Sequence, residues 1–98
     1  MAFVDDYDFH EIKNEAETLV IHELEYQLAS ASQEVCRCNE CVVDMATIAL
    51  NSVKPLYRIS LLGTLYASQA MSEQTYAESV KNAVAQAIEK VKTNPAHD

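Results

Sequence analysis

Val35-Cys36-Arg37-Cys38-Asn39-Glu40-Cys41-Val42-Val43-Asp44-Met45-Ala46-Thr47-Ile48-Ala49-Leu50-Asn51 holds all three cysteines of the chain and runs from them straight into a helical pattern. Val42, Met45, Ala46, Ala49 and Leu50 recur at the three-and-four spacing of one helix face, with Val53 close behind. That spacing predicts a central helix from about Cys41 to Ser52, ended by Pro55, because the residue before a proline is pushed out of the helical region. The C-x-C-x-x-C run ahead of it lets a backbone loop gather three thiolates around one centre. Thiolate sulfur is a favoured ligand of zinc, which prefers four tetrahedral donors. Cys36, Cys38 and Cys41 are therefore expected to form a Zn2+-holding loop before the central helix. The positive end of a helix beginning at Cys41, with Arg37 beside it, would favour the ligating, ionised sulfurs. The fourth donor is open: water, His10, His22, Glu40, Asp44 or a group from a second protomer. Two other readings of the same thiols stand beside this one, as small buried hydrophobes or as a redox pair with a spare. An iron–sulfur cluster would want four cysteines per chain.

On the N-terminal side, Phe9, Ile12, Ala16, Leu19, Val20, Leu24 and Leu28 follow helical spacing and predict a first long helix from Phe9 to about Ala31, capped by Asp8. Glu23 lies close to that stripe and needs a partner or a solvent-facing edge. On the C-terminal side, Ser72 is a good N-cap for a last helix whose stripe is Tyr76, Val80, Ala83, Val84, Ala87, Ile88 and Val91. Between them the pattern is ambiguous. Tyr57, Ile59, Leu61 and Leu65 suit a short extended piece, Gly63 suits a turn, and Leu61 to Met71 suits a helix equally well. The expected fold is all-α, a single small domain of about four helices over residues 1–98, frayed at 1–8 and 94–98.

The 98 residues fit one domain, and 49% of them are hydrophobic with a single glycine. So much apolar side chain is hard to hide in one small protomer, and a homodimer is expected to cover the excess. A formal charge of −8 repels the phosphates that dominate nucleic-acid affinity, which disfavours DNA and RNA as partners. No stretch is long and apolar enough to span a bilayer, and Met1 to Phe9 is acidic where a secretory signal would be basic and then apolar. A cytoplasmic location is expected, where thiols stay reduced and close cysteines serve as metal ligands or redox groups rather than disulfides. An enzyme is not expected. There is no H-x-E or H-E-x-x-H pattern, no nucleophile with an adjacent base, and one glycine cannot build a phosphate-cradling loop.

Positive charge is scarce but unevenly spread: Arg37, Lys54 and Arg58 fall around the central helix, whereas residues 1–25 carry eight acids and only Lys13. A local anion site in mid-chain is compatible with that distribution.

With Cys36-x-Cys38-x-x-Cys41-x-x-Asp44, then Ala46, Ala49-Leu50-Asn51 and Pro55-x-Tyr57, the sequence resembles the ComFB family of late competence development proteins. Asn14-x-x-Glu17-x-Leu19-Val20 resembles the family's first helix, so the resemblance spans roughly residues 10 to 66. It implies a small helical homodimer with zinc at the three cysteines and a cytosolic regulatory role without enzymatic activity. It further implies a receptor for a cyclic dinucleotide second messenger, chiefly cyclic di-GMP, acting on competence or surface-motility machinery. Such a ligand has two phosphates and two flat purines, and the residues available for it here are Arg37, Lys54 and Arg58 for phosphate, Tyr57 for stacking, and Asp44 and Asn51 for base edges or ribose. Leu56 and Arg58 depart from the family's usual residues, a difference that bears on ligand choice rather than fold. The alternative is a structural adaptor with a structural zinc and no small ligand.

Overall fold

The computed structural model describes residues 2–57 and 73–95. Three α-helices carry the described fold: α1 over Ala16–Ser30, α2 over Asn39–Leu50 and α3 over Glu73–Thr93. Two short 3-10 turns, Phe3–Asp6 and Phe9–Glu11, precede α1, and neither contains a buried residue. Among the described residues there is no strand, only an isolated antiparallel bridge between Asn14 and Tyr57. The all-α expectation is thus met with three helices. The ambiguous stretch from Leu61 to Met71, Arg58 and the Ser72 cap lie outside the described residues, so the expected fourth helix is not among them.

The three helices pack mutually, α2 most extensively against α3. The core follows from the apolar stripes: Ala16, Val20 and Leu24 from α1, Cys41, Met45 and Ala49 from α2, and all seven expected positions of α3 are buried. Met45, Val20 and Val84 are shielded from water completely, which stabilises each by about 1.5–3 kcal/mol relative to exposure. Small residues such as Ala49, Ala83 and Ala87 at the contacts let the helices approach closely.

The first helix is shorter than its periodicity predicts. Phe9 and Ile12 are exposed rather than core, the chain at Ile12 is extended, and Asp8 makes no side-chain cap. Helix α1 instead begins where Asn14 turns its side chain onto the backbone: its Oδ1 accepts the Ala16 N–H at 3.1 Å. The same oxygen accepts the Leu56 N–H at 2.7 Å, and the Glu15 N–H donates to the Leu56 carbonyl at 2.7 Å. The Asn14 side chain and the Glu15 N–H are therefore spent on a segment some forty residues away, and the helix does not extend N-terminally through them. Leu19, although on the predicted stripe, lies at its edge and stays exposed. Glu23 is half-buried, and its Oε2 accepts the Gln27 side-chain amide at 2.8 Å. That amide also donates to the Lys81 carbonyl at 3.0 Å, so one glutamine joins α1 to α3.

Helix α2 starts two residues earlier and ends two earlier than its pattern predicts. Cys38 occupies the N-cap in extended conformation, and its Sγ accepts the Cys41 N–H at 3.4 Å. At the other end the Ser52 N–H bonds the Ala49 carbonyl at 3.0 Å, a tightened last turn that closes the helix before Pro55 is reached.

Candidate metal centre

The loop between α1 and α2 is built from local contacts. Ser32 opens a turn: its Oγ accepts the Glu34 N–H at 3.1 Å and its carbonyl accepts the Val35 N–H at 3.2 Å. Val35 then drops into the core as an apolar anchor. Arg37 folds back over the turn. Its Nη1 donates to the carbonyls of Val35 at 3.0 Å and Ser32 at 3.3 Å, and its Nη2 to those of Leu28 at 2.7 Å and Ala31 at 3.2 Å. Leu28 belongs to the last turn of α1, where its carbonyl also accepts the Ala31 N–H at 3.3 Å and the negative helix end favours a cation. On the far side Glu34 faces Lys92 of α3 at 3.9 Å, an exposed pair of little energetic weight.

This loop delivers Cys36, Cys38 and Cys41 to one place. Their sulfurs all lie within 4.8 Å of one another, and none is in a disulfide. Cys41, in the first turn of α2, is buried; Cys36 is half-buried and Cys38 exposed. Tetrahedral zinc with sulfur at about 2.3 Å sets sulfur–sulfur edges of about 3.8 Å, so the set needs to close by no more than about 1 Å to accept the ion. The donor set is three soft sulfurs, which suits a thiophilic divalent metal and not calcium or magnesium. Among the described His, Cys, Asp and Glu residues no fourth joins the group, so His10, His22, Glu40 and Asp44 are not brought to it.

The residues expected to bind a nucleotide are distributed as follows. Arg37 is exposed and gives two of its nitrogens to four backbone carbonyls. Asp44 is half-buried on α2, Asn51 is the exposed C-cap of the same helix, and Lys54 is exposed with its carbonyl accepting the Tyr76 hydroxyl. Tyr57, half-exposed, borders a shallow groove with Lys13, Thr18, Glu11, Glu15 and Glu17. That groove carries three carboxylates against one ammonium, a poor surround for phosphate and a good one for N–H donors. Arg58 lies outside the described residues. Sequence reasoning missed the structural parts of this region: the Arg37 clasp, the Cys38 cap, and Asn14, which aligns Tyr57 beside α1. The sole sequence signal for the last was an asparagine two residues ahead of the helix.

Among the described residues, three helices and an inter-helix loop presenting three converging thiols define a class of small helical proteins with a cysteine cluster able to hold a metal ion. The chain belongs to the ComFB family, late competence development protein ComFB, which it matches over residues 13–95. No curated protein matches it by sequence similarity. No helix among the described residues is long and apolar enough to cross a membrane.

Proposed function

We propose that this chain is a non-enzymatic, zinc-holding regulatory domain that binds a cyclic dinucleotide, cyclic di-GMP in the first instance, and signals as a cytoplasmic homodimer to competence or surface-motility machinery. The observation that carries the metal half is the convergence of three sulfurs within 4.8 Å at the start of α2. Family membership supports the regulatory half. For the ligand, support comes from Asp44, Asn51, Lys54 and Tyr57, which lie on α2 or within seven residues of its end and keep at least part of their surface accessible. Tyr57 offers a ring face for a purine, and the carboxylates of its groove suit the N–H edge of guanine. With Arg37 turned onto backbone carbonyls, Lys54 and Arg58 are the phosphate candidates of this reading.

Calorimetric titration of the zinc-loaded protein with cyclic di-GMP tests the ligand. Heat that saturates at roughly micromolar ligand supports it, and a flat titration at roughly tenfold higher concentration removes it. The second reading, a structural adaptor with the same metal site and no small ligand, is favoured by the exposed apolar side chains Phe3, Tyr7, Phe9, Ile21, Tyr26 and Val43. Arg58→Ala separates the two, since a receptor loses its ligand whereas an adaptor keeps its protein partner.

A further inference from the structure

Arg37 stands between two of the three thiols in the sequence, and its guanidinium turns onto backbone carbonyls. Its four hydrogen bonds go to Leu28, Ala31, Ser32 and Val35, which together form the end of α1 and the whole turn leading to Cys36. The other two sulfurs have independent support, because Cys38 is fixed as the α2 N-cap and Cys41 is buried in the first turn of that helix. Cys36 lies on neither helix. It sits at the end of the turn, and the turn is held by Val35 in the core and by the Arg37 fork.

We infer that Arg37 is a positioning residue for the metal site: by tying the turn to the negative end of α1, it holds Cys36 at coordinating distance from Cys38 and Cys41. The inference rests on the metal reading proposed above and reassigns Arg37 from binding phosphate to retaining metal. A planar fork with several donors in fixed directions can bridge four carbonyls, whereas the point charge of a lysine cannot span them. Metal leaves a thiolate site by detaching one ligand at a time. Cys36 is the ligand whose detachment the fork opposes. Groups that orient ligands without touching the ion typically change metal affinity by about 10- to 100-fold when lost.

The test uses the complete zinc-loaded chain and follows transfer of zinc to an excess of a chromophoric chelator, for the natural protein, Arg37→Gln, Arg37→Lys and Leu28→Ala. Arg37→Gln is expected to release zinc about 10-fold faster, and Arg37→Lys also faster, although it preserves charge and helix-end electrostatics. Leu28→Ala removes packing from the same helix end but leaves its carbonyl in place, so it lowers thermal stability and releases zinc at the natural rate. If Arg37→Gln does not fold, Arg37→Lys carries the measurement. Release at the natural rate from the folded arginine variants overturns the inference, as does equal acceleration in Leu28→Ala, which would assign the effect to stability alone. A natural protein that takes up no zinc strikes the metal reading itself.

Discussion

The side-chain oxygen of Asn14 accepts the backbone N–H of Leu56 at 2.7 Å while also capping the Ala16 N–H, so one atom both starts α1 and fastens to it the chain that leaves α2. Leu56 is buried beside this contact, and the next residue, Tyr57, pairs with Asn14 through the backbone. The placement of Tyr57 against the α1 groove is thus a consequence of one amide side chain.

Asn14→Ala leaves two partly buried N–H groups without their acceptor, and its expected cost is about 2–4 kcal/mol. Asn14→Asp keeps the acceptor and should cost less than about 1 kcal/mol. Urea unfolding monitored by circular dichroism measures both, and equal losses in the two variants would refute the account.

Cys38→Ser and Cys41→Ser should part company. A serine at position 38 caps α2 at least as well as a thiol, so metal-free stability changes by no more than about 0.5 kcal/mol while bound metal is lost. A serine at the fully shielded position 41 buries a hydroxyl in place of sulfur and costs a further 1–3 kcal/mol or about that, with or without metal. Elemental analysis, together with unfolding in chelator, reads the two effects separately.

Removing metal should loosen the loop and leave the helix packing, because Val20, Met45 and Val84 hold the helices together without it. Far-UV circular dichroism in chelator is expected to retain nearly all helical signal. The unfolding free energy should climb by about 1.4 kcal/mol for each tenfold rise in free zinc above saturation. Thermal unfolding at graded zinc checks this, and curves that superimpose would exclude a metal bound preferentially by the folded state.

Burial predicts opposite outcomes at two large apolar residues. Met45→Ala, at a site with no exposure, should cost about 2–5 kcal/mol. Phe9→Ala should fall within about 0.5 kcal/mol, since Phe9 is exposed and its ring meets the exposed rings of Phe3 and Tyr7, with centroids at 5.7 and 5.9 Å. Chemical denaturation of the two variants side by side decides whether the N-terminal aromatic cluster belongs to the core.

Much of this protein was determined by sequence alone, wherever the governing interaction is periodic or close along the chain. The seven buried positions of α3 follow from 3.6-residue periodicity, the α2 face from the same rule, and the meeting of three sulfurs from their spacing within six residues. Tertiary structure decided the rest. The Phe9 and Ile12 positions carry the periodic pattern but not the helix, because residues 14 and 15 bond to Leu56, and a contact across 42 residues leaves no local trace. Arg37 looked like a phosphate ligand because a lone guanidinium in a loop announces its charge and not its direction. Its direction was set by carbonyls at the end of α1 and in the turn after it, which are gathered as acceptors only once that helix has formed and the loop has folded back over it.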